Sequence, residues 1–369
     1  MADRQRTIAI IGASIGQKVL YQKAKEMGLR VIGFAWDYGV LTSNLYDRFY
    51  NISVKDYNSI IEICKKENVD GVVTNASEFL APISSLIAES LRLNCAGANT
   101  IRKIQDKSWV RTKTNGIQNL SSVKCYIYSP DKDPFFPCVV KPIKGAAKRG
   151  VSFCRNKQEF ELAIEYAKTE EGNILVEDYI DGVEFSIESL SYRGKHQIVQ
   201  ITDKENSGPP HFVELGHHQP SELNNNDKHR IKQVVANILD AVNFKNGATH
   251  IEMKLDCNSG NLYLIEINCR GGGDHISDTL VNLSTDCDFI RSIIEIALDE
   301  YDMKEYHDTG CAGICYLSSQ NGKILKYFNE EKPDWIIQME RTNDVLSEST
   351  SNYDRDGFFI YKSSKRPRI

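Results

Sequence analysis

Residues 262 to 276 read LYLIEINCRGGGDHI, in which polar side chains recur at every second position of an apolar stretch. Alternate side chains of a β-strand point to the same face, so Glu266, Asn268 and Arg270 are expected to share one face. A carboxylate, an amide and a guanidinium would be costly to bury against an apolar core. The pattern therefore indicates a strand whose polar face meets a ligand that is both metal-bound and anionic. The apolar residues expected on the opposite face are Ile265, Ile267 and Cys269.

A second carboxylate, Glu252, lies in the preceding strand-like run THIEMKLD. A turn at NSGN, residues 258–261, would pair the two runs as a hairpin and bring Glu252 close to Glu266 and Asn268. Mg2+ prefers oxygen ligands and commonly uses one or two carboxylates together with substrate phosphates. We therefore predict a metal site at these three residues. The alternative, a polar sheet face exposed to water, gives no role to the Arg-Gly-Gly-Gly sequence that follows.

Two earlier segments have features suited to a nucleotide. In CVVKPIKGAAKRGVSF, Lys141 ends a strand and precedes a glycine-containing loop, residues 145–150, whose amides could close over a polyphosphate. In NILVEDYIDGVEFSIESL, an extended link after Glu177 could present backbone groups to an adenine, and Glu184 could accept hydrogen bonds from a ribose. Taken singly, an exposed lysine before a hairpin loop and an ordinary hairpin with solvent-facing acids explain these segments equally well or better.

The segment HFVELGHHQPS supplies further polar groups between two sheet regions. Histidine titrates near neutral pH, so a histidine here could accept a proton from an amine. Glu214 and His218 are the residues expected in a substrate pocket. For each histidine of this segment, a structural role as a buried, hydrogen-bonded core residue is an equal alternative.

The N-terminal region, residues 7 to 96, alternates short apolar runs with helical patterns, which is typical of a parallel sheet covered by helices. Its first turn, IIGASIGQ, has Gly12 and Gly16, but Ser14 and Gln17 replace two glycines of the dinucleotide-binding fingerprint. A tight turn in a Rossmann-like domain is therefore favoured over a nicotinamide site. Beyond residue 311, the runs ILKYF, WIIQM and GFFIYK alternate in period two and predict a small appended sheet.

The overall composition excludes several classes of protein. A formal net charge of -5 gives no whole-protein argument for nucleic-acid binding, and no apolar run approaches the roughly 20 residues that span a bilayer. The first residues lack the apolar core of a signal peptide. The 10 cysteines are scattered without a CxxC pair, which favours reduced thiols. These features predict a cytoplasmic protein without nucleic-acid or membrane partners.

The chain resembles the ATP-grasp superfamily in the order of three motifs. These are Lys141 with the glycine-containing loop that follows it, VEDYI with Glu184, and Glu252 with EINCR. The segments ITDKENSGPPHFVELGHHQPS and GGGDHISDTLVNLST are similar to its L-amino acid ligase and carbamoyl-phosphate-synthase-like branch. The resemblance implies a mixed α/β and α+β fold that covers nearly the whole chain. The implied parts are a Rossmann-like pre-ATP-grasp domain at 1–112, a small lid subdomain at 113–190, a large subdomain with the metal site at 191–310, and a β-rich C-terminal extension at 311–369.

The resemblance also implies ATP and Mg2+ or Mn2+ as cofactors and assigns a role to each site residue. Lys141 and Arg270 would be catalytic, with Arg270 stabilising an acyl phosphate and a tetrahedral intermediate. The residues implied to contact ATP are Lys107, Lys141, Lys148, Arg149, Gly150, Val151, Glu177, Asp178, Ile180 and Glu184. Glu252, Glu266 and Asn268 would hold the metal. The residues expected to bind substrate are Glu214, His218, Arg270, Gly271, Gly272 and Gly273.

The predicted activity is that of a carboxylate–amine ligase, which forms an amide through an acyl phosphate and releases ADP and phosphate. Its partners would be a small-molecule carboxylate and an amine, one of them an amino acid, and a homodimer is compatible with the resemblance. A bicarbonate-using carboxylase or carbamoyl-phosphate-type enzyme is the first alternative, although the chain is short for paired synthetase halves and has no biotinyl Met-Lys-Met segment. A nicotinamide-dependent oxidoreductase would leave the region after residue 140 unexplained, and a non-catalytic nucleotide-binding module would leave the retained acids and arginine without a role.

Overall fold

The computed structural model describes residues 4–144, 149–170, 172–209, 211–330 and 332–369. Its N-terminal strands are β1 (Thr7–Ile11), β2 (Arg30–Ala35), β3 (Arg48–Asn51) and β4 (Gly71–Val73), and its helices are α1 (Ile15–Glu26), α2 (Tyr57–Lys66), α3 (Leu80–Ser90) and α4 (Ala98–Ile104). The four strands pair in parallel in the order β3-β2-β1-β4. The predicted parallel sheet is therefore confirmed.

The turn between β1 and α1 uses the two residues that depart from the dinucleotide-binding pattern. Gly12 has a φ of 93°, a conformation that favours glycine. The backbone N–H of Ser14 donates to Oε1 of Gln17 at 3.2 Å, and Nε2 of Gln17 donates to the carbonyl of Asn75 at 2.7 Å. Ser14 and Gln17 thus begin α1 and tie this turn to the loop after β4.

A small antiparallel sheet follows helix α5 (Lys107–Thr114). Its strands are β5 (Cys125–Ile127), β6 (Cys138–Pro142), β7 (Ser152–Cys154) and β8 (Ile174–Asp178), in the order β5-β8-β6-β7. Helix α6 (Lys157–Ala167) covers one face, where Phe160 and Ile164 pack against Val140 and Val176. The opposite face is left to meet the next sheet.

The largest sheet has eight strands, all of them antiparallel to their neighbours. The strands are β9 (Val183–Tyr192), β10 (Lys195–Asn206), β11 (Glu214–Gln219), β12 (Gly247–Leu255), β13 (Leu262–Asn268), β14 (Cys311–Leu317), β15 (Ile336–Arg341) and β16 (Gly357–Ser363). Their order is β13-β12-β9-β10-β11-β14-β16-β15. Helix α7 (Asn225–Ala241) packs Ile231 and Ile238 against Phe185 and Ile251 on one face, so the charged residues of β9 and β12 lie on the other.

The predicted hairpin at residues 258–261 is present, but its second strand contains a β-bulge. Glu252 lies opposite Glu266, whereas Met253 lies opposite Leu264, which leaves Ile265 without a partner. A bulge interrupts the alternation of faces. Ile265 therefore lies beside Glu266 at the cavity described below, and not in the core with Ile267 and Cys269 as predicted.

The C-terminal strands continue the large sheet instead of forming a sheet of their own, since β14 pairs with β11. WIIQM and GFFIYK correspond to β15 and β16 as predicted. ILKYF was expected as a strand, but it spans a 3-10 turn (Ser319–Leu325) and α10 (Lys326–Asn329), because period-two alternation in so short a run does not separate strand from helix. The change of sheet falls between β8 and β9, and the domain limits stay predictions.

Three further helical segments are a π-helical turn (Ile276–Leu280), α8 (Val281–Ser284) and α9 (Phe289–Ala297). The π-helical turn and α8 follow the three glycines and lie over β14. Within the described ranges, no helix combines the length and the apolar character that a membrane span requires.

Candidate active site

A cavity of about 170 Å3 lies where the small sheet faces the β12–β13 end of the large sheet. Of the residues expected to contact ATP, those lining it are Lys107, Lys141, Arg149, Val151, Glu177, Asp178, Ile180 and Glu184. Gly150 lies next to this lining, and Lys148 is outside the described residues. Two predicted metal ligands, Glu252 and Glu266, line the same cavity. The structure thus brings together residues from α5, β6, β8, β9, β12 and β13.

Glu177, at the centre of the cavity wall, holds two cations. Its Oε1 accepts a hydrogen bond from Nε of Arg111 at 2.7 Å, and its Oε2 lies 2.5 Å from Nζ of Lys141. Burial would raise the pKa of Glu177, but Lys141 and Arg111 outweigh burial and lower it to about 2. Arg111 also donates to the carbonyl of Ile265 at 3.0 Å. The ionised carboxylate therefore fixes Lys141 in place and joins the small sheet to β13.

The two carboxylates expected to bind metal face each other across β12 and β13. Nζ of Lys107 lies 2.9 Å from Oε1 of Glu266, and Nζ of Lys204 lies 3.0 Å from Oε1 of Glu252. Within the described part of the chain, no three His, Cys, Asp or Glu side chains form a group able to hold a metal ion. The predicted set adds the amide of Asn268, the last residue of β13, and its donors are all oxygen, which suits Mg2+.

Lys204, on β10, is a buried cation that no motif indicated. Its Nζ lies 2.8 Å from Glu184, 3.3 Å from Glu214 and 3.0 Å from Glu252. Burial would lower the pKa of Lys204, but these three carboxylates raise it well above its ordinary value. One ammonium group therefore connects residues that were expected to bind ribose, substrate and metal separately.

Aromatic side chains that sequence analysis missed line another wall of the cavity. Tyr179 and Phe212 line it, and the Phe153 ring lies 4.5 Å from Tyr179 and 6.4 Å from Phe212 between centroids. Nζ of Lys254 lies 5.2 Å from the centroid of Tyr179 and donates to the carbonyl of Ile180 at 3.2 Å. These rings come from three separate segments, so no local spacing in the sequence could have grouped them.

The segment of residues 270–275, here called the glycine loop, approaches its neighbours closely. A Cβ at Gly271 would lie 2.7 Å from Oδ1 of Asn75, and one at Gly272 would lie 2.6 Å from Oε1 of Glu188, whereas one at Gly273 would meet nothing within 4 Å. The amide of Gly272 was expected to face a substrate carboxylate. It donates instead to Oε2 of Glu188 at 2.9 Å, because the loop lies directly on that side chain.

Arg270 lies at the boundary between the N-terminal sheet and the glycine loop. Its Nε is 3.4 Å from Oε1 of Glu78, and its Nη1 donates to the carbonyl of Gly271 at 2.9 Å. Burial raises the pKa of Glu78. Glu78 lies in the loop between β4 and α3 and had no recognisable motif, so this contact across the two sheets could not be read from the sequence.

Adjacent histidines on β11 point to opposite faces of the sheet. His218, the residue predicted for the substrate pocket, contacts the hydroxyl of Tyr361 at 3.0 Å and Glu205 at 3.3 Å. His217 lies opposite Lys204 in the register, and its Nε2 is 3.6 Å from Oδ2 of Asp274. The prediction for His218 is therefore corrected, since strand alternation places His217, and not His218, on the face of the candidate site.

Arg355 closes the far side of the glycine loop. Its guanidinium donates to both carboxylate oxygens of Asp274, at 3.2 and 3.0 Å. Its Cζ lies 3.4 Å from the centroid of the Tyr316 ring, and it donates to the carbonyl of Glu214 at 3.3 Å. A planar guanidinium with two parallel hydrogen bonds fixes orientation as well as charge. Arg355 therefore holds Asp274 beside His217.

Comparison with known proteins gives the class of the fold. Residues 134–278 match the model of the ATP-grasp domain family. The L-amino acid ligase from Bacillus licheniformis superposes with a TM-score of 0.82 at 22% identity, over 98% of this chain and 94% of that one. N5-carboxyaminoimidazole synthetase from Staphylococcus aureus, solved with ADP, gives a TM-score of 0.76 at 16% identity, over 97% and 93%. The expected ATP-grasp fold class is thereby confirmed.

Curated relatives match parts of the chain. Alanine–anticapsin ligase of Bacillus subtilis is 25% identical over 226 residues, which are 53% of this chain and 47% of that protein. D-alanine–D-alanine ligase of Flavobacterium johnsoniae is 36% identical over 67 residues, which are 18% and 21%. The chain thus spans less than half the length of these two relatives. The match of residues 134–278 to the ATP-grasp domain family confirms the resemblance drawn from the motifs.

Proposed function

We propose that the chain is an ATP-dependent carboxylate–amine ligase that joins its substrates through an acyl phosphate and releases ADP and phosphate. One substrate is an amino acid. The observation that carries this proposal is the cavity in which Lys107 and Lys141 face the carboxylates of Glu252 and Glu266, within a chain that contains an ATP-grasp domain. The predicted division at 1–112, 113–190, 191–310 and 311–369 is proposed with it.

The nucleotide would occupy this cavity with its base against the aromatic wall of Tyr179 and Phe212. Lys107 and Lys141 would then hold the phosphates, since both ammonium groups are already fixed by carboxylates. Phosphoryl transfer needs little covalent participation by the protein, so positioning and charge stabilisation supply most of the acceleration. Fixed cations in a partly closed cavity provide both.

Glu252, Glu266 and Asn268 would hold Mg2+ or Mn2+. When bound, such an ion neutralises charge on the terminal phosphates of the nucleotide. The two carboxylates are balanced by Lys107 and Lys204. The same two lysines therefore fix the carboxylates that would hold the ion.

The acid and the amine would meet between the cavity and the glycine loop. Arg270 would face the developing oxyanion, and a donor of this kind is worth roughly 3 kcal/mol when removed from other enzymes. His217, held beside Asp274 at 3.6 Å, would accept the proton that the attacking amine must lose. Arg355 acts on this step only by positioning Asp274.

The experiment is a screen for ADP and phosphate release across pairs of amino acids and small carboxylates with ATP and Mg2+. Release that requires both an acid and an amine supports the ligase. Release with bicarbonate and no amine would establish the carboxylase alternative, and nicotinamide oxidation without ATP would overturn the proposal. Lys141→Met should abolish release. Lys168→Met, the control, alters an exposed lysine at the end of α6 that pairs with Glu165, and should leave release unchanged.

A further inference from the structure

Two rows of side chains cross β9, β12 and β13 on the face that carries Glu252. The register places in the first row Ser186, Glu252 and Glu266, and in the second row Glu188, His250 and Asn268. Residues directly opposite each other on adjacent strands point to the same face and are close enough to interact. The second row therefore contains one proposed metal ligand, Asn268, and lies beside the other two, Glu252 and Glu266. Its other two members, Glu188 and His250, have no part in the proposed reaction.

Glu188 has no exposed surface, and both of its carboxylate oxygens are engaged. Oε1 contacts Nδ1 of His250, and Oε2 accepts the backbone N–H of Gly272 at 2.9 Å. Buried ion pairs are weak contributors to stability, and well-packed apolar residues often replace them without loss. Stability alone therefore does not account for this pair.

The glycine loop lies so close to the pair that its backbone position depends on it. A Cβ at Gly272 would lie 2.6 Å from Oε1 of Glu188 and 2.7 Å from Nδ1 of His250. The carbonyl of Gly272 also accepts a hydrogen bond from Oγ of Ser277 at 2.7 Å. Gly272, the residue after Gly271, is thus fixed through both its N–H and its C=O groups.

The other end of the pair reaches the proposed metal site. Nε2 of His250 lies 3.3 Å from Oε1 of Glu252, the oxygen that also contacts Lys204. An uninterrupted series of contacts therefore runs from the amide of Gly272 through Glu188 and His250 to Glu252. Groups that orient a ligating side chain typically change metal affinity about 10- to 100-fold when they are mutated.

We propose that Glu188 and His250 are positioning residues that hold the glycine loop and the Glu252 carboxylate in one fixed arrangement. This inference rests on the proposed function, since it takes Glu252 to be a metal ligand. Its consequence is that the geometry of the glycine loop and the affinity for the divalent cation are set by the same pair.

The first variant, Glu188→Gln, keeps the size of the side chain but offers one acceptor oxygen to two donors. The neutral amide also accepts hydrogen bonds more weakly than a carboxylate, so the contacts with Gly272 and with His250 both weaken. We expect the affinity for Mn2+ at saturating ADP, measured by electron paramagnetic resonance of free Mn2+, to fall about tenfold. The affinity for ADP without metal, measured by calorimetry, should stay within about twofold, because Glu188 does not line the nucleotide cavity.

The second variant, His250→Asn, separates the two ends of the pair. The asparagine amide can replace Nδ1 in the contact with Glu188 but has no group at the position of Nε2. The affinity for Mn2+ should fall as in Glu188→Gln. Hydrogen exchange at Gly272, followed by mass spectrometry of peptides covering the glycine loop, should stay slow in His250→Asn and become faster in Glu188→Gln.

The matched control is Thr249→Val. Thr249 and Ser189 lie opposite each other on the same two strands and form a buried hydrogen bond, but they alternate with His250 and Glu188 and so face away from the site. This variant should lower the melting temperature without changing Mn2+ affinity or exchange at Gly272. Equal loss of Mn2+ affinity in the control would show a merely structural effect and overturn the inference.

The outcomes separate this inference from the proposed function. If the unaltered protein binds Mn2+ with ADP, and Glu188→Gln and His250→Asn bind it equally well, the positioning role is wrong while the ligase proposal stands. If the unaltered protein with ADP binds no Mn2+, the proposed metal site fails and the inference fails with it. Weaker Mn2+ binding in both variants, with an unchanged control, supports the positioning role.

Discussion

Charged side chains gather in two regions of the molecule: in one they line a cavity, and in the other they are sealed from solvent. Around the candidate nucleotide cavity, Lys141 and Glu177 come from neighbouring strands of the small sheet, and Arg111 reaches Glu177 from helix α5; all three line the cavity. Beneath the glycine loop, Glu188 and His250 come from neighbouring strands of one sheet and are sealed from solvent.

The difference teaches that charge by itself does not mark a binding site. Groups that line a cavity can exchange a protein partner for a charged ligand. Groups that are sealed between a sheet and a loop can only hold neighbouring backbone and side chains in place. Substitutions in the two regions should therefore have different consequences for stability, ligand binding and turnover.

The largest effect is expected from Glu177→Gln. The change leaves Lys141 and Arg111 as buried cations without their carboxylate, which typically costs about 3–5 kcal/mol of unfolding free energy. Urea denaturation measures the loss. The control is Glu165→Gln, since Glu165 pairs with Lys168 at 2.6 Å on the surface, and an exposed ion pair contributes little to stability. Equal effects of the two variants would contradict the assignment of Glu177 as the centre of the cavity wall.

Arg270→Met should reduce turnover about 100- to 1000-fold, because a positioned cation for a developing oxyanion contributes on that scale. Binding of ADP should remain, because Arg270 does not line the nucleotide cavity. Single-turnover ADP formation and calorimetric ADP binding measure the two properties separately. Unaltered turnover would refute the role assigned to Arg270.

Gly272→Ala should destabilise the fold by about 1–3 kcal/mol, the usual cost of overfilling a tightly packed position. The added methyl group would collide with Glu188 and His250. Gly273→Ala is the matched control, because a Cβ there meets nothing within 4 Å. Thermal melting of both variants distinguishes close approach at one residue from a general need for glycine in the loop.

The smallest effect concerns pH. The pKa of Glu177 is lowered from 4.5 to about 2 in the fold, so its stabilisation is complete above its unfolded pKa and is lost as the pH falls towards 2. At pH 4 the loss is about 1 kcal/mol by proton linkage. Urea titrations at pH 7 and pH 4 should show a smaller decrease for Glu177→Gln than for the unaltered protein. A parallel decrease would show that Glu177 titrates normally.

Much of the fold could be predicted because its signals are local. The parallel sheet followed from alternating apolar and helical runs, and the β12–β13 hairpin followed from NSGN between two strand-like runs. The bulge at Ile265 could not be predicted, since it depends on how β13 pairs with β12. The prediction of a strand at ILKYF was wrong, because its apolar residues fit a helical turn as well as a strand.

The candidate site was predictable where one strand carries several of its groups, as with Glu266 and Asn268. It was not predictable where a partner arrives from a distant segment. Glu78 contacts Arg270 from the loop between β4 and α3. Lys204 contacts Glu252 from a strand that is not adjacent to β12, and Arg355 contacts Asp274 from the segment between β15 and β16. The choice of His218 over His217 failed because the face of β11 is set by its register with β10.

The salt bridge between Arg355 and Asp274 joins residues 81 positions apart, so it cannot form until well after Asp274 has been synthesised. A chain leaves the ribosome from its N-terminus and begins to fold as it emerges. The segments that form the nucleotide cavity are all complete before Arg355 has been translated. The candidate nucleotide cavity can therefore form in a nascent chain before Arg355, which fixes Asp274 of the glycine loop, has been added.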